Sequence, residues 1–116
     1  MKATEIQRRI LDLATEDFYG LWEIPAVVKE ILPDLDEEHA RDLSEKTVLE
    51  LVDRHLIKIY RGTRFAGEER ALSLDEIQSA LADANNWRGD LSTLKEHVRF
   101  GATEIGEREY YDLTKH

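Results

Sequence analysis

The stretch Leu49-Glu50-Leu51-Val52-Asp53-Arg54-His55-Leu56-Ile57-Lys58-Ile59-Tyr60-Arg61-Gly62 changes its apolar period partway along. Ahead of the change, Ala40, Leu43, Val48, Leu51, Val52 and Leu56 form a stripe at helical spacing. Glu37, Glu38, Arg41, Asp42, Glu45 and Glu50 fall mostly off it, and Asp34 or Asp36 is placed to cap the helix. After the change the period is two. Ile57, Ile59 and Arg61 point one way and Lys58 and Tyr60 the other, until Gly62 ends the strand. A long helix running straight into a strand is thus the centre of the fold.

Two helices are expected before it. Ile6, Ile10, Leu13, Ala14 and Phe18 recur at helical spacing from about Thr4 to Phe18, and Thr4 and Gln7 stand at capping-box spacing. Gly20 stops that helix. The apolar stretch Leu21-Trp22-Glu23-Ile24 links it, as an extended piece or a tight connection, to a second helix from Pro25 to Leu32, which Pro33 ends. After Gly62, residues Thr63 to Ala71 are charged and aperiodic and are expected to form a loop. Ser73-Leu74-Asp75-Glu76 is a capping box opening a short helix with Ile77, Ala80, Leu81 and Ala84 on one side, ending at Asn85-Asn86. Arg88-Gly89-Asp90 is a turn, not an adhesion tripeptide, and Leu91 to Glu96 fits a loop or a single helical turn. Val98 to Ala102 alternates again as a second strand, after which Thr103 caps a last helix carrying Ile105, Tyr110, Tyr111 and Leu113.

Two strands alone are marginal and must be covered by helices, so the expected class is α+β, mostly helical, with a small antiparallel sheet. The 116 residues correspond to one domain. With 41% hydrophobic and 35% charged residues there is enough for one core and a well-solvated surface. No cysteine is present, which excludes disulfides and thiolate chemistry. The longest apolar run, Ile24 to Val28, is far short of a membrane span, and Met1 leads into an acidic amphipathic segment instead of a signal peptide, so no membrane partner and a cytoplasmic location are expected.

The passage from Leu49 to Gly62 resembles the end of the recognition helix and the following strand of bacterial winged helix-turn-helix proteins. The passage Ala102-Thr103-Glu104-Ile105-Gly106-Glu107-Arg108-Glu109-Tyr110 is similar to the strand-to-helix step that closes the wing in many of them. With residues 6–18 and 25–32 as the preceding helices, the resemblance covers most of the chain and implies a winged-helix domain over residues 1–116. Two departures stand out. His55 occupies a position where the family commonly has glycine, and the two wing strands are separated by an insertion over about residues 63–97 with its own capped helix.

The resemblance implies DNA binding, with the third helix in the major groove. Charge opposes this. From Asp36 to His55 seven acids (Asp36, Glu37, Glu38, Asp42, Glu45, Glu50, Asp53) meet three bases (Arg41, Lys46, Arg54), a net of −4. Residues 58–70 are more favourable, with Lys58, Arg61, Arg64 and Arg70 against Glu68 and Glu69. The formal net charge of the chain is −9. The preferred expectation is therefore a non-enzymatic module that binds another protein, a basic one in the manner of an immunity protein or antitoxin, or acts in regulation. Its contact residues are taken as Glu37, Glu38, Asp42, Glu45 and Phe65, the last an aromatic in a polar loop. The alternative is a DNA-binding transcription regulator using Lys46, Arg61, Arg64 and Arg70. The spare face of the last helix is a candidate for homodimer contact.

Catalysis has no support in the pattern. The histidines at 39, 55, 97 and 116 include no pair at metal-ligating helical spacing, and Glu38, His39 and Asp42 fit a solvated capping region better than a metal site. Ser44, Ser73, Ser79 and Ser92 sit in no nucleophile elbow. The glycines form no phosphate or dinucleotide loop, so no cofactor is expected. Trp22 and Trp87 are assigned to packing.

Overall fold

The computed structural model describes residues 2–16, 19–62, 70–87 and 97–114. Phe18, Arg64, Phe65, the Arg88-Gly89-Asp90 turn and Leu91 to Glu96 lie outside the described residues. Five α-helices and four strands are formed among the residues described. They run α1 (Lys2–Glu16), β1 (Tyr19–Gly20), α2 (Ile24–Ile31), α3 (Glu37–Asp53), β2 (Ile57–Gly62), β3 (Arg70–Ala71), α4 (Leu74–Ala82), β4 (His97–Ala102) and α5 (Glu104–Thr114). Single 3₁₀ turns at Leu21–Glu23 and Ala84–Trp87 precede α2 and follow α4.

The sheet order is β1-β4-β2-β3. Its centre is the antiparallel pair β2 and β4, in register from Ile57↔Ala102 through Ile59↔Phe100 to Gly62↔His97. The alternation seen in the sequence orients this pair. Ile57, Ile59, Val98 and Phe100 turn inward and are buried, while Lys58 is exposed. The helices supply the other side of the core through Ile6, Ile10, Leu11, Val28, Val48 and Leu51. Each such aliphatic side chain contributes roughly 1.5–3 kcal/mol by leaving water.

Several boundaries differ from the sequence-based expectation. Helix α1 starts at Lys2, so Thr4 lies within it and does not cap it. Gln7, its expected box partner, instead donates to Glu50 on α3 at 3.1 Å. Leu21 to Glu23 makes a 3₁₀ turn, the tight connection of the two forms expected, while Tyr19 and Gly20 add an unexpected short strand against Phe100 and Arg99. A Cβ on Gly20 would fall 2.2 Å from the Trp22 ring, so any larger residue there would force the ring to move. Arg70 and Ala71, expected in a loop, pair with Arg61 and Tyr60 as β3. Two-residue pairings leave no periodic trace in a sequence, and only the neighbouring strand creates them.

Other expectations are met. Asp36 is the cap of α3, accepting from the His39 N–H at 2.8 Å. Ser73 accepts from the Glu76 N–H while Glu76 accepts from the Ser73 N–H. Thr103 accepts from the Gly106 N–H at 2.9 Å. Trp87 packs against the core and donates its indole N–H to the Leu81 carbonyl at 2.8 Å. Tyr110 packs inward and Tyr111 is 69% exposed, as the two sides of the last helix require.

Candidate functional site

The end of α3 sets up the site. His55 adopts φ 60, the left-handed region. Its N–H donates to the Val52 carbonyl at 2.9 Å, and the Leu56 N–H reaches back to the Leu51 carbonyl at 2.9 Å. This pair of bonds is a Schellman stop, usually built on glycine, and it turns the chain at once from helix into β2. The Thr103 hydroxyl donates to the His55 carbonyl and the Thr103 N–H donates to the Leu56 carbonyl at 3.0 Å, which ties the start of α5 to the same corner. Gly106 lies so close to Leu56 that an added Cβ would sit 1.9 Å from the Leu56 carbonyl oxygen.

An open groove of about 790 Å³ runs along this corner. Val52 and Asp53 come from the end of α3 and His55 from the stop after it, Ile57, Lys58 and Ile59 from β2, Ala71 from β3 and Leu72 from just after it. Leu74 and Ile77 of α4 and Thr103, Glu104 and Ile105 at the start of α5 complete it. The lining is mainly aliphatic, with Asp53, Glu104, Lys58 and His55 as its charged or titratable members. Leu74 is 58% exposed and Ile105 54%. Of the large apolar side chains that are exposed among the described residues, these two line the groove and the third, Tyr111, does not.

The acids expected to contact a protein lie elsewhere. Glu37, Glu38 and Asp42 are exposed on the first turns of α3, at the opposite end from Asp53. A 17-residue helix is about 25 Å long at roughly 1.5 Å per residue. Glu45 is half-buried and engaged by Arg41 at 3.1 Å. Near the cap, Asp36 accepts from both the main-chain N–H and the ring of His39. The main-chain bond, with the ring bond second, lowers the Asp36 pKa, and the ring bond raises that of His39.

The bases expected to contact DNA do not converge on α3. Lys46 is exposed there, and it is the one exposed base of the helix. Just beyond the helix, Arg54 is bound to Glu109 at 2.7 Å. Arg61 and Arg70 stand opposite each other across β2 and β3, and Arg70 is paired with Glu76 at 2.9 Å. That ion pair comes second to the main-chain bond from Ser73 in holding the Glu76 pKa down. Arg64 and Phe65 lie outside the described residues.

A smaller hollow of about 210 Å³ between α1 and α5 is lined by Arg8, Arg9, Asp12 and Tyr110. Two of its groups are spent on each other, and a third is engaged outside it. Tyr110 donates to Asp12 at 2.6 Å, which raises the phenol pKa, and Arg9 reaches Glu30. No group of three or more metal-ligating side chains occurs among the described residues, and no helix described is long and apolar enough to cross a membrane.

The groove residues were not singled out by sequence reasoning. Leu74 continues the stripe of Ile77 and Leu81 by one turn, and Ile105 sits on the apolar side of α5, so both resemble ordinary core positions. The signal was an apolar stripe that continues into the first turn of its helix. No protein-family model, curated protein or solved structure matches the chain.

Proposed function

We propose that this chain is a winged-helix-type domain that acts by binding another protein and not by catalysis, with the groove beside β2 as its docking face. The observation that carries the proposal is the pair Leu74 and Ile105, both more than half exposed on one apolar groove. Exposed aliphatic side chains gathered on a concave apolar surface are the usual mark of a contact site. The order of elements supports the winged-helix part: three helices, then two long antiparallel strands with a helix-bearing insertion between them.

Charge supports a protein partner of basic character. The exposed face of α3 carries Glu37, Glu38, Asp42, Glu50 and Asp53 against Lys46. In this account the acids at the far end of α3 steer a basic partner in, and the groove holds it. DNA remains the second reading, favoured by the facing Arg61 and Arg70, with Lys46 and Arg64 as further phosphate contacts.

Both readings are tested by comparing the native chain with the double substitution Leu74→Asp and Ile105→Asp. Quantitative co-purification from source cells is expected to recover a protein with the native chain and to lose it with the double variant. A mobility-shift series on duplex DNA at low salt is expected to show no binding. Retention of the protein by the double variant, or a duplex complex weakened by Arg61→Ala and Arg70→Ala, would overturn the proposal.

A further inference from the structure

In an antiparallel ladder, successive residues of a strand direct their main-chain groups to opposite neighbours. The bond from the Thr103 N–H to the Leu56 carbonyl fixes the phase in β2. Lys58, Tyr60 and Gly62 therefore bond toward β4, and Ile57, Ile59 and Arg61 face the β3 side. There β3 pairs with Tyr60 and Arg61, and one further bond runs from the Leu72 N–H to the Ile59 carbonyl at 2.9 Å. The next position of that register, opposite Ile57, is Leu74, which is already the first residue of α4. The N–H and carbonyl of Ile57 are left without a main-chain partner among the described residues. Ile57 is 2% exposed, and it lines the groove. Buried main-chain groups are paired in the great majority of cases, so this rung calls for a partner.

We propose that an extended segment of the partner protein completes the rung, adding to β2 where β3 leaves it. The inference rests on the docking reading given above and specifies how the partner binds. An incoming helix satisfies its own main-chain groups and would leave Ile57 unpaired, whereas an extended segment presents free N–H and carbonyl groups at ladder spacing. Alternate apolar residues of that segment would lie against Leu74 and Ile105. Asp53 and Glu104 outnumber Lys58 in the groove lining and favour a flanking Lys or Arg. A second copy of this chain is disfavoured as the occupant, because two chains of net charge −9 repel and each would bring the same acids to the contact.

The test uses the full chain, immobilised, and a phage-displayed library of random heptapeptides. Enriched peptides are expected to carry apolar residues at alternate positions with a flanking Lys or Arg, and to lose binding to the Leu74→Asp variant. Methylating single backbone nitrogens of a synthetic winner should weaken binding about tenfold or more at one position, the residue paired with Ile57, and little at the others. Hydrogen exchange at the Ile57 amide should slow on binding. Peptides that depend on Leu74 yet ignore backbone methylation, with unchanged exchange at Ile57, would overturn strand addition and leave the docking face standing. Failure to enrich any peptide would overturn the inference, and binding indifferent to both Leu74→Asp and Ile105→Asp would overturn the docking face with it.

Discussion

Replacing His55 with glycine should make the protein more stable. A non-glycine residue in the left-handed region gives up about 1–2 kcal/mol relative to ordinary helical geometry, and His55 is held there at φ 60. Glycine removes that strain but adds freedom to the unfolded chain, which costs about 0.4–1 kcal/mol. The main-chain bonds of the stop survive, since they use the His55 N–H and carbonyl and the Leu56 N–H. The imidazole is exposed, so little packing is lost. The net expectation is a gain of about 0.5–1 kcal/mol, or about 2–4 °C in Tm for a domain of this size. Urea unfolding followed by circular dichroism measures it. His55→Ala is the control, because alanine keeps the strain and should give no gain. Equal stability of the glycine and alanine variants would mean that the chain does not pass through the left-handed region at residue 55. The chain would then enter β2 by a different turn.

Gly106→Ala should act in the opposite sense to helix propensity. Alanine favours an interior helical position by about 1 kcal/mol, but here its Cβ would collide with the Leu56 carbonyl, and a net loss of about 1–3 kcal/mol in urea unfolding is expected. Ser73→Ala should cost about 1 kcal/mol and speed amide exchange in the first turn of α4, because the Glu76 N–H loses its acceptor. The Asp36–His39 contact gives a pH dependence of definite sign. The raised His39 pKa contributes stability that is full below the ordinary imidazole value of about 6.5 and is lost as pH rises through the raised value. The lowered Asp36 pKa contributes above the ordinary carboxylate range and is lost in acid. His39→Gln should therefore flatten the small fall in urea midpoint between pH 6 and pH 8, and an unchanged slope would refute the assignment.

The fold was legible where local pattern and tertiary burial agree. The switch of period at Leu56 located the end of α3 and the start of β2, because the same residues that repeat at helical and then alternate spacing are the ones buried in the core. The pairing of β2 with the strand near residue 100 followed from the need of two amphipathic strands for each other. β1 and β3 were illegible, since a two-residue strand is defined by its neighbour. The left-handed backbone at His55 was hinted at only by its standing where the resembled family commonly has glycine; the capping bonds impose it. The groove escaped notice for a related reason: Leu74 and Ile105 have the spacing of core residues, and only the placement of α4 and α5 shows that their stripes extend past the core. The acids on α3 were visible at once, but charge alone did not locate the apolar groove at the other end of that helix.

We place the meeting point of this chain with another protein in the groove between β2, α4 and α5. Site-specific photocrosslinking in source cells tests it most directly, with a benzophenone side chain at position 105 in one variant and at the exposed position 111 in another. A discrete protein adduct is expected from position 105, lost when Leu74→Asp is added, with none of that adduct from position 111. An adduct from position 111 but not from 105, or nucleic acid as the sole crosslinked species, would contradict it.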